Sequence, residues 1–278
     1  MNKRTLALYS IIALAVVFGT GPIAIARVQA SDADSVLLSI ARLSQTNVIS
    51  PTNQFWEMLG QVDRSRAVAD LRRLTGEEPI CTNAGCYTAA NRQTGSAGLR
   101  WATDYIYEEL VGLGYSLEFR DWSREGWSDR NLIARKVGVS APIEEVYLVA
   151  HVDGVQPTAE ERFPAADDNA SGAVDLLEVA RVLSTFSFSR TVVLLFSTGE
   201  EHGGLGAGSY LDQLSSQELS RIKYAVNVDM VGYDGDRDGV MQLWPGDDPP
   251  SLALTQLMSE TIGAYRLGVV PRIHAGCA

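Results

Sequence analysis

Acidic side chains and one histidine follow the apolar runs of the sequence, where each predicted strand ends. They are His151 after 146–150, Glu200 and Glu201 after 191–196, Asp229 after 224–228, and Asp168 between the first two runs. Because sites in open α/β sheets form at the carboxyl ends of strands, we expect these groups to converge. One histidine with several carboxylates suits Zn²⁺ and, less selectively, Mn²⁺ or Co²⁺. A two-metal site of this kind can activate a water and polarise a carbonyl at once.

Each of these residues also has an ordinary structural explanation. His151 could be a core histidine, and Asp168 could cap the helix that follows it. Glu200 and Glu201 lie in a glycine-rich stretch that could be a solvated loop, whereas Asp229 at the end of an apolar strand needs a partner. Their common placement at strand ends is a stronger signal than any single residue. No serine has a nucleophile-elbow context and no cysteine lies beside a candidate base, which argues against acyl-enzyme chemistry.

The order of these motifs resembles that of the co-catalytic zinc peptidases, which include bacterial leucyl aminopeptidase, aminopeptidase Y and the glutamate carboxypeptidases. The resemblance runs from about Arg92 to Met230 and continues weakly to the end. The motifs that carry it are His151-Val152-Asp153, Asp167-Asp168-Asn169-Ala170-Ser171-Gly172, Ser197-Thr198-Gly199-Glu200-Glu201 with the glycine-rich 203–209, and Asn227-Val228-Asp229-Met230-Val231-Gly232. Arg92 with Thr94-Gly95-Ser96, and Asn131, resemble the lead-in of the family.

The resemblance implies a metal-binding role for four of these side chains. His151 and Asp229 would hold one zinc ion, Glu201 would hold a second, and Asp168 would bridge both. The full-length protein is therefore expected to carry two zinc ions.

The resemblance also implies roles for two carboxylates beside the metal ligands. Asp153 would fix the ring of His151, as metal-bound histidines usually require. Glu200 would be the general base and acid, taking a proton from water and passing it to the leaving amine. The family tends to hold a cis peptide after the bridging aspartate, which is the Asp168–Asn169 bond here.

The last expected ligand has no counterpart in the sequence. In the family it is a histidine preceded by Ser-Asp, downstream of the fourth motif, and no Ser-Asp-His occurs here. The expectation is that the chain stops just short of that motif. His274 is the only late histidine, and it lacks the flanking residues of the motif.

The elements that position these residues alternate between helix and strand. Helical spacing of apolar residues predicts helices near 35–43, 66–74, 97–113, 171–183 and 251–262. Short apolar runs predict strands near 131–135, 145–150, 191–196, 224–230 and 241–244. This alternation predicts an α/β fold, a three-layer sandwich whose mostly parallel mixed sheet has helices on both faces.

Three segments are expected along the 278 residues. Residues 1–30 have the pattern of a signal peptide, or alternatively of an uncleaved N-terminal anchor, so the protein is expected to be secreted or periplasmic. Residues 31–90 form an N-terminal helical segment, either part of the domain or a removable pro-segment. Residues 91–278 form the catalytic domain, incomplete at its C-terminus.

The net charge bears on the possible binding partners, and the cysteines bear on disulfide formation. A formal net charge of −11 argues against nucleic acid. Contact with a membrane is expected only if the N-terminal segment stays uncleaved, and the sequence does not indicate an oligomeric state. In an oxidising compartment Cys81 and Cys86 are expected to form a disulfide, which leaves Cys277 over.

These observations favour a zinc-dependent exopeptidase, first of all an aminopeptidase with peptide substrates. A carboxypeptidase would need a basic pocket for the substrate carboxylate, and the sequence does not reveal one. Glutaminyl cyclisation, which the resemblance also allows, and a non-catalytic module on a peptidase fold remain alternatives.

Overall fold

A computed structural model describes residues 52–155 and 162–275 of the chain. The described helices are α1 (Asn53–Gln61), α2 (Arg64–Leu74), α3 (Ala97–Leu110), α4 (Gly172–Ser184), α5 (Leu205–Asp212), α6 (Ser216–Leu219) and α7 (Pro249–Ala264). The strands are β1 (Ile80–Thr82), β2 (Gly85–Tyr87), β3 (Ser116–Arg124), β4 (Trp127–Lys136), β5 (Ala141–His151), β6 (Arg190–Ser197), β7 (Ile222–Asn227), β8 (Val240–Leu243) and β9 (Val270–Ile273). The predicted signal peptide, the predicted helix at 35–43 and Cys277 lie outside the described residues.

Five strands form the central sheet in the order β3-β4-β6-β5-β7. Strand β5 pairs in parallel with β6 and β7, whereas β4 pairs antiparallel with β3 and β6. Hence β3, β5, β6 and β7 run in one direction and β4 runs against them. The predicted mixed and mostly parallel α/β sheet is confirmed.

Successive residues of the central strands point to opposite faces of the sheet, and both faces are covered by helices. On one face, Leu148 and Leu194 join a large apolar cluster with side chains of α1, α2, α3, α4 and α7. On the other face, Tyr147 and Val193 pack with Tyr210 of α5. Burial of each large apolar side chain contributes about 1.5–3 kcal/mol, so this layering stabilises the sheet that carries the site.

Several elements were absent from the sequence-based prediction, β3 and α5 among them, and one strand lies elsewhere than expected. Strand β3 pairs with β4 along its whole length, and α5 forms from the glycine-rich stretch after the two glutamates. The predicted strand near 241–244 is β8, which pairs in parallel with β9 in a separate two-stranded sheet.

The N-terminal helices pack on the same core as the sheet. Phe55 of α1 and Leu74 of α2 are buried in the large apolar cluster. Helix α2 is also tied to α4, because Arg66 donates to Glu178 at 2.7 Å and Asp70 accepts from Arg181 at 2.6 Å.

The predicted disulfide between Cys81 and Cys86 is confirmed. It joins β1 to β2 across a short antiparallel hairpin, in which the two cysteines face each other in register. Among the helices that the structure describes, none has the length and apolar character needed to cross a bilayer.

Candidate metal centre

The strand order brings the predicted site residues at the carboxyl ends of β5, β6 and β7 close together. Because β5 lies between β6 and β7, its last residue His151 is flanked by the segments that follow both neighbours. The Nε2 atom of His151 lies 3.3 Å from Asp168 Oδ1, 3.5 Å from Asp229 Oδ1 and 3.9 Å from Glu200 Oε2. The convergence expected from the sequence is therefore present in the structure.

Glu201 completes the cluster. Ligand atoms of His151, Asp168 and Glu201 all lie within 4.8 Å of one another, a spacing that one ion could bridge. The Oε1 atom of Glu201 accepts a hydrogen bond from the main-chain N–H of Val155 at 2.8 Å, which holds the carboxylate over the end of β5.

The imidazole of His151 is oriented as a metal ligand requires. The ring is buried, and its Nδ1 lies 3.2 Å from the main-chain oxygen of Asp153, to which an Nδ1–H donates. Its Nε2 finds no hydrogen-bond partner among the described residues, although carboxylates surround it. A buried ring nitrogen without a hydrogen-bond partner costs free energy unless a ligand satisfies it. The donor set of one imidazole and several carboxylates therefore fits a divalent cation such as zinc.

The electrostatics of the site also call for a cation. Burial lowers the pKa of His151, but the carboxylates of Asp153 and Asp229 more than offset this and raise the pKa to about 10. Burial raises the pKa of Asp168, Glu200 and Glu201, and neighbouring carboxylates raise it further. The raised pKa values partly reflect repulsion between the clustered carboxylates. A bound cation would reduce this repulsion.

Asp153 links the histidine to both glutamates. Its carboxylate is fully buried and lies 3.6 Å from His151 Nδ1. It accepts hydrogen bonds from Thr94 Oγ1 at 3.1 Å and from the main-chain N–H groups of Glu200 and Glu201 at 3.3 Å each. The position of this carboxylate therefore determines both the orientation of the His151 ring and the placement of the loop that carries Glu200 and Glu201, called the glutamate loop below.

Asn169 holds the aspartate ligands in relation to each other. Its side chain donates to the main-chain oxygen of Val228 at 2.9 Å and accepts from the N–H of Met230 at 3.3 Å. These two bonds bracket Asp229, while Asn169 itself directly follows Asp168. The Asp168–Asn169 peptide bond is cis, as predicted.

The sequence-based prediction gave no role to the residues that hold the glutamate loop from the side of β3 and β4. Trp122 Nε1 donates to Thr198 Oγ1 at 2.9 Å, and Asn131 Oδ1 accepts from the N–H of Thr198 at 3.0 Å. Asn131 Nδ2 also donates to the main-chain oxygen of Gly206 at 2.8 Å. Asn131 had appeared only as a family-like residue, and no local pattern marks Trp122.

The other two histidines make different contacts. His202 stacks on Trp127 with ring centroids 3.7 Å apart, so its ring is partly covered. His274 stacks on Trp244 at the same centroid distance and hydrogen-bonds to Gln242. Among the described residues, His274 belongs to none of the groups whose side chains could bind a metal ion.

Comparison with known proteins agrees with the geometry of the site. Residues 131–267 match the family model described as Peptidase family M28. This match confirms, over that stretch, the predicted resemblance to co-catalytic zinc peptidases. The chain is also 32% identical over 133 residues to a probable leucine aminopeptidase 2 of Aspergillus oryzae, which covers 45% of this chain and 26% of that protein.

Solved structures confirm the fold. LapA of Legionella pneumophila superposes with a TM-score of 0.62 at 19% identity, covering 84% of this chain and 62% of LapA. A glutaminyl cyclase from an Acidobacteriales bacterium superposes with a TM-score of 0.60 at 18% identity, covering 78% and 74%. The chain spans between 18% and 30% of the length of the first curated relatives that it matches.

Proposed function

We propose that this protein is a zinc-dependent aminopeptidase. The observation that carries the proposal is the buried Nε2 of His151, which has no hydrogen-bond partner among the described residues and faces Asp168 and Asp229. The match to peptidase family M28 and the likeness to a protein named as a leucine aminopeptidase support the same conclusion.

We propose that the four predicted ligands hold two ions, as the resemblance to co-catalytic zinc peptidases implies. His151 and Asp229 would hold one ion, Glu201 would hold a second, and Asp168 lies where it could serve both. Zinc bound there would supply a Lewis acid that polarises the peptide carbonyl and acidifies a water molecule.

Glu200 is placed to move the proton. Its Oε2 lies 3.9 Å from His151 Nε2, at the centre of the cluster, and its side chain is 47% exposed, so substrate and water can reach it. Burial and the surrounding carboxylates raise the pKa of Glu200. A raised pKa makes the carboxylate a better proton acceptor, and its acid form can then protonate the leaving amine.

The decisive experiment measures zinc content and hydrolysis on the same purified chain. Zinc per chain is determined by elemental analysis after equilibration with ZnCl₂ and desalting, and Leu-p-nitroanilide hydrolysis is assayed beside it. We expect Glu200→Gln to keep the bound zinc and to lose about 10²–10⁴-fold in kcat. Wild-type protein that binds zinc without hydrolysing any of several aminoacyl-p-nitroanilides would instead favour the non-catalytic module.

Three further assays separate the alternatives. An N-acetylated leucyl anilide should resist hydrolysis, because an aminopeptidase requires the free amine. An N-terminal glutaminyl substrate, followed by mass spectrometry for loss of ammonia, tests the cyclase activity named for the Acidobacteriales protein of similar fold. A peptide shortened from its C-terminus would establish a carboxypeptidase.

We further propose that the protein acts outside the cytoplasm, after removal of residues 1–30. The Cys81–Cys86 disulfide supports this placement, since such bonds persist in oxidising compartments. N-terminal sequencing of the exported protein should begin at Ser31. An N-terminus at Met1 in a membrane fraction would show an uncleaved anchor instead.

A further inference from the structure

Arg92 is a buried cation that is not a ligand in the proposed site, yet it contacts the backbone of two segments that carry ligands. Its side chain is 1% exposed. The guanidinium donates to the main-chain oxygens of Val152 at 2.9 Å, Pro164 at 2.8 Å and Ala165 at 2.9 Å. A fourth bond goes to the oxygen of Leu74 at 2.5 Å.

These acceptors come from three separate parts of the chain. Val152 lies between His151 and Asp153, just past the end of β5. Pro164 and Ala165 precede the turn that carries Asp168. The N–H of Gly154 also donates to the main-chain oxygen of Arg92 at 3.2 Å, so backbone and side chain both hold the extension of β5.

We infer that Arg92 is a positioning residue, which fixes the separation between His151 and Asp168 so that both can bind one zinc ion. The inference rests on the proposed zinc site. The two ligand segments share no strand pairing, so the guanidinium provides a rigid bridge between them. A planar group with five donors suits this task, whereas a lysine ammonium has only three donors on a flexible stem.

The charge of Arg92 contributes as well. Burial lowers its pKa to about 10, and the nearby carboxylates of Asp153 and Asp168 keep it charged. A fixed positive charge below the site partly balances the clustered carboxylates before zinc arrives. Loss of the guanidinium would therefore loosen the ligand geometry and leave four main-chain carbonyl oxygens without these donors.

The test compares Arg92→Lys with Arg181→Lys in the full chain. Arg181 is also an arginine that is largely shielded from solvent, with a side chain 8% exposed and ion pairs to Asp70 and Glu109 at 2.6 Å. It lies toward the far end of α4, about 15 Å along the helix axis from Ser171, at 1.5 Å per residue. Zinc affinity is measured by competition with a chromogenic chelator, and Tm of the metal-free proteins by calorimetry.

We expect Arg92→Lys to bind zinc at least about tenfold more weakly than wild type, the loss typical when support of a metal ligand is removed. Arg181→Lys should keep the wild-type zinc affinity even if its Tm falls as far as the Tm of Arg92→Lys. Equal zinc affinity in wild type and Arg92→Lys would overturn the inference. If Arg92→Lys and a second variant, Arg92→Gln, both fail to fold while Arg181→Lys folds, Arg92 serves the fold alone and the inference is likewise wrong.

An experiment that contradicts the proposed function can be distinguished from one that contradicts this inference. Its failure appears in the wild-type protein, as absence of zinc binding or of Leu-p-nitroanilide hydrolysis. The inference about Arg92 depends on the difference between variants, measured as zinc affinity and not as activity of the loaded enzyme.

Discussion

The carboxylate of Asp153 lies 3.6 Å from Nδ1 of His151 on the side of the ring away from Asp168 and Asp229. The same carboxylate accepts the main-chain N–H groups of Glu200 and Glu201. One buried acid therefore connects the histidine of β5 with the glutamates that follow β6. A change in its charge should affect both at once.

Replacement of Asp153 by asparagine should weaken zinc binding by about 10–100-fold, the usual effect of removing support from a metal-bound histidine. Asparagine has the same size, but it carries no charge, and its NH₂ group replaces one of the two oxygens that accept the hydrogen bonds from Thr94, Glu200 and Glu201. Zinc affinity by chelator competition, with kcat of the loaded protein, checks this prediction.

Asp129→Asn is a suitable control for that variant. Asp129 is partly buried and accepts a hydrogen bond from the N–H of Gly95 at 2.7 Å, in the segment that contains Thr94. It makes no contact with His151 or the glutamates that the structure records. A comparable loss of zinc affinity in both variants would mean that this segment acts only through general stability.

The metal-free protein should lose stability with rising pH through His151. The pKa of His151 is raised to about 10 in the folded chain, against about 6.5 for an unperturbed histidine. The stabilisation is therefore fully present below about pH 6.5 and is lost as the pH rises toward 10, by up to about 1.4 kcal/mol per unit. In EDTA, the difference in Tm between wild type and His151→Gln should shrink over this range. A difference that stays constant with pH contradicts the prediction, and Asp229→Asn should flatten the dependence in part.

Much of the site could be predicted from the sequence because most of its residues lie at the ends of strands or within three residues of them. An apolar run such as 191–196 marks a buried strand locally, and the carboxyl ends of parallel strands share one edge of the sheet. His151, Glu200 and Asp229 could thus be placed together without knowledge of any long-range contact. The four metal-ligand candidates all converge in the structure.

The supporting residues could not be predicted in this way. Trp122 contacts Thr198 across 76 residues, and Arg92 contacts Ala165 across 73, so no local spacing connects them. Strand β3 was missed because polar and charged residues interrupt its apolar ones, as in an edge strand with one face half exposed. Helix α5 was missed because Gly206 and Gly208 lower its intrinsic helix propensity.

Trp122→Phe should lower kcat without unfolding the protein. Phenylalanine keeps an aromatic ring in this buried position, but it removes the donor to Thr198 Oγ1. Thr198 retains its hydrogen bond to the oxygen of Arg130 at 3.2 Å, so the loop should loosen without unfolding. A net loss of about 1 kcal/mol in loop placement corresponds to roughly fivefold in rate. Steady-state kinetics should show the change in kcat with little change in KM, and an unchanged kcat would show that this bond does not place Glu200.

Gly206 and Gly208, both in α5, give a matched test of how closely the helix approaches the loop. A Cβ at Gly206 would lie 2.0 Å from the main-chain oxygen of Thr198 and 2.7 Å from Asn131 Oδ1, distances that require backbone movement. A Cβ at Gly208 would meet only Arg124 Nη1, at 3.5 Å.

Gly206→Ala should therefore destabilise the protein by about 1–3 kcal/mol, as overpacking of a rigid contact does, and it should displace the loop that carries Glu200. Gly208→Ala should instead raise stability by about 0.5–1 kcal/mol, because alanine favours the helix over glycine. Urea unfolding of both variants, with zinc affinity measured alongside, checks the pair. Equal stability of the two variants would mean that α5 can move away from Thr198, and the close approach would then not be what holds the glutamate loop in place.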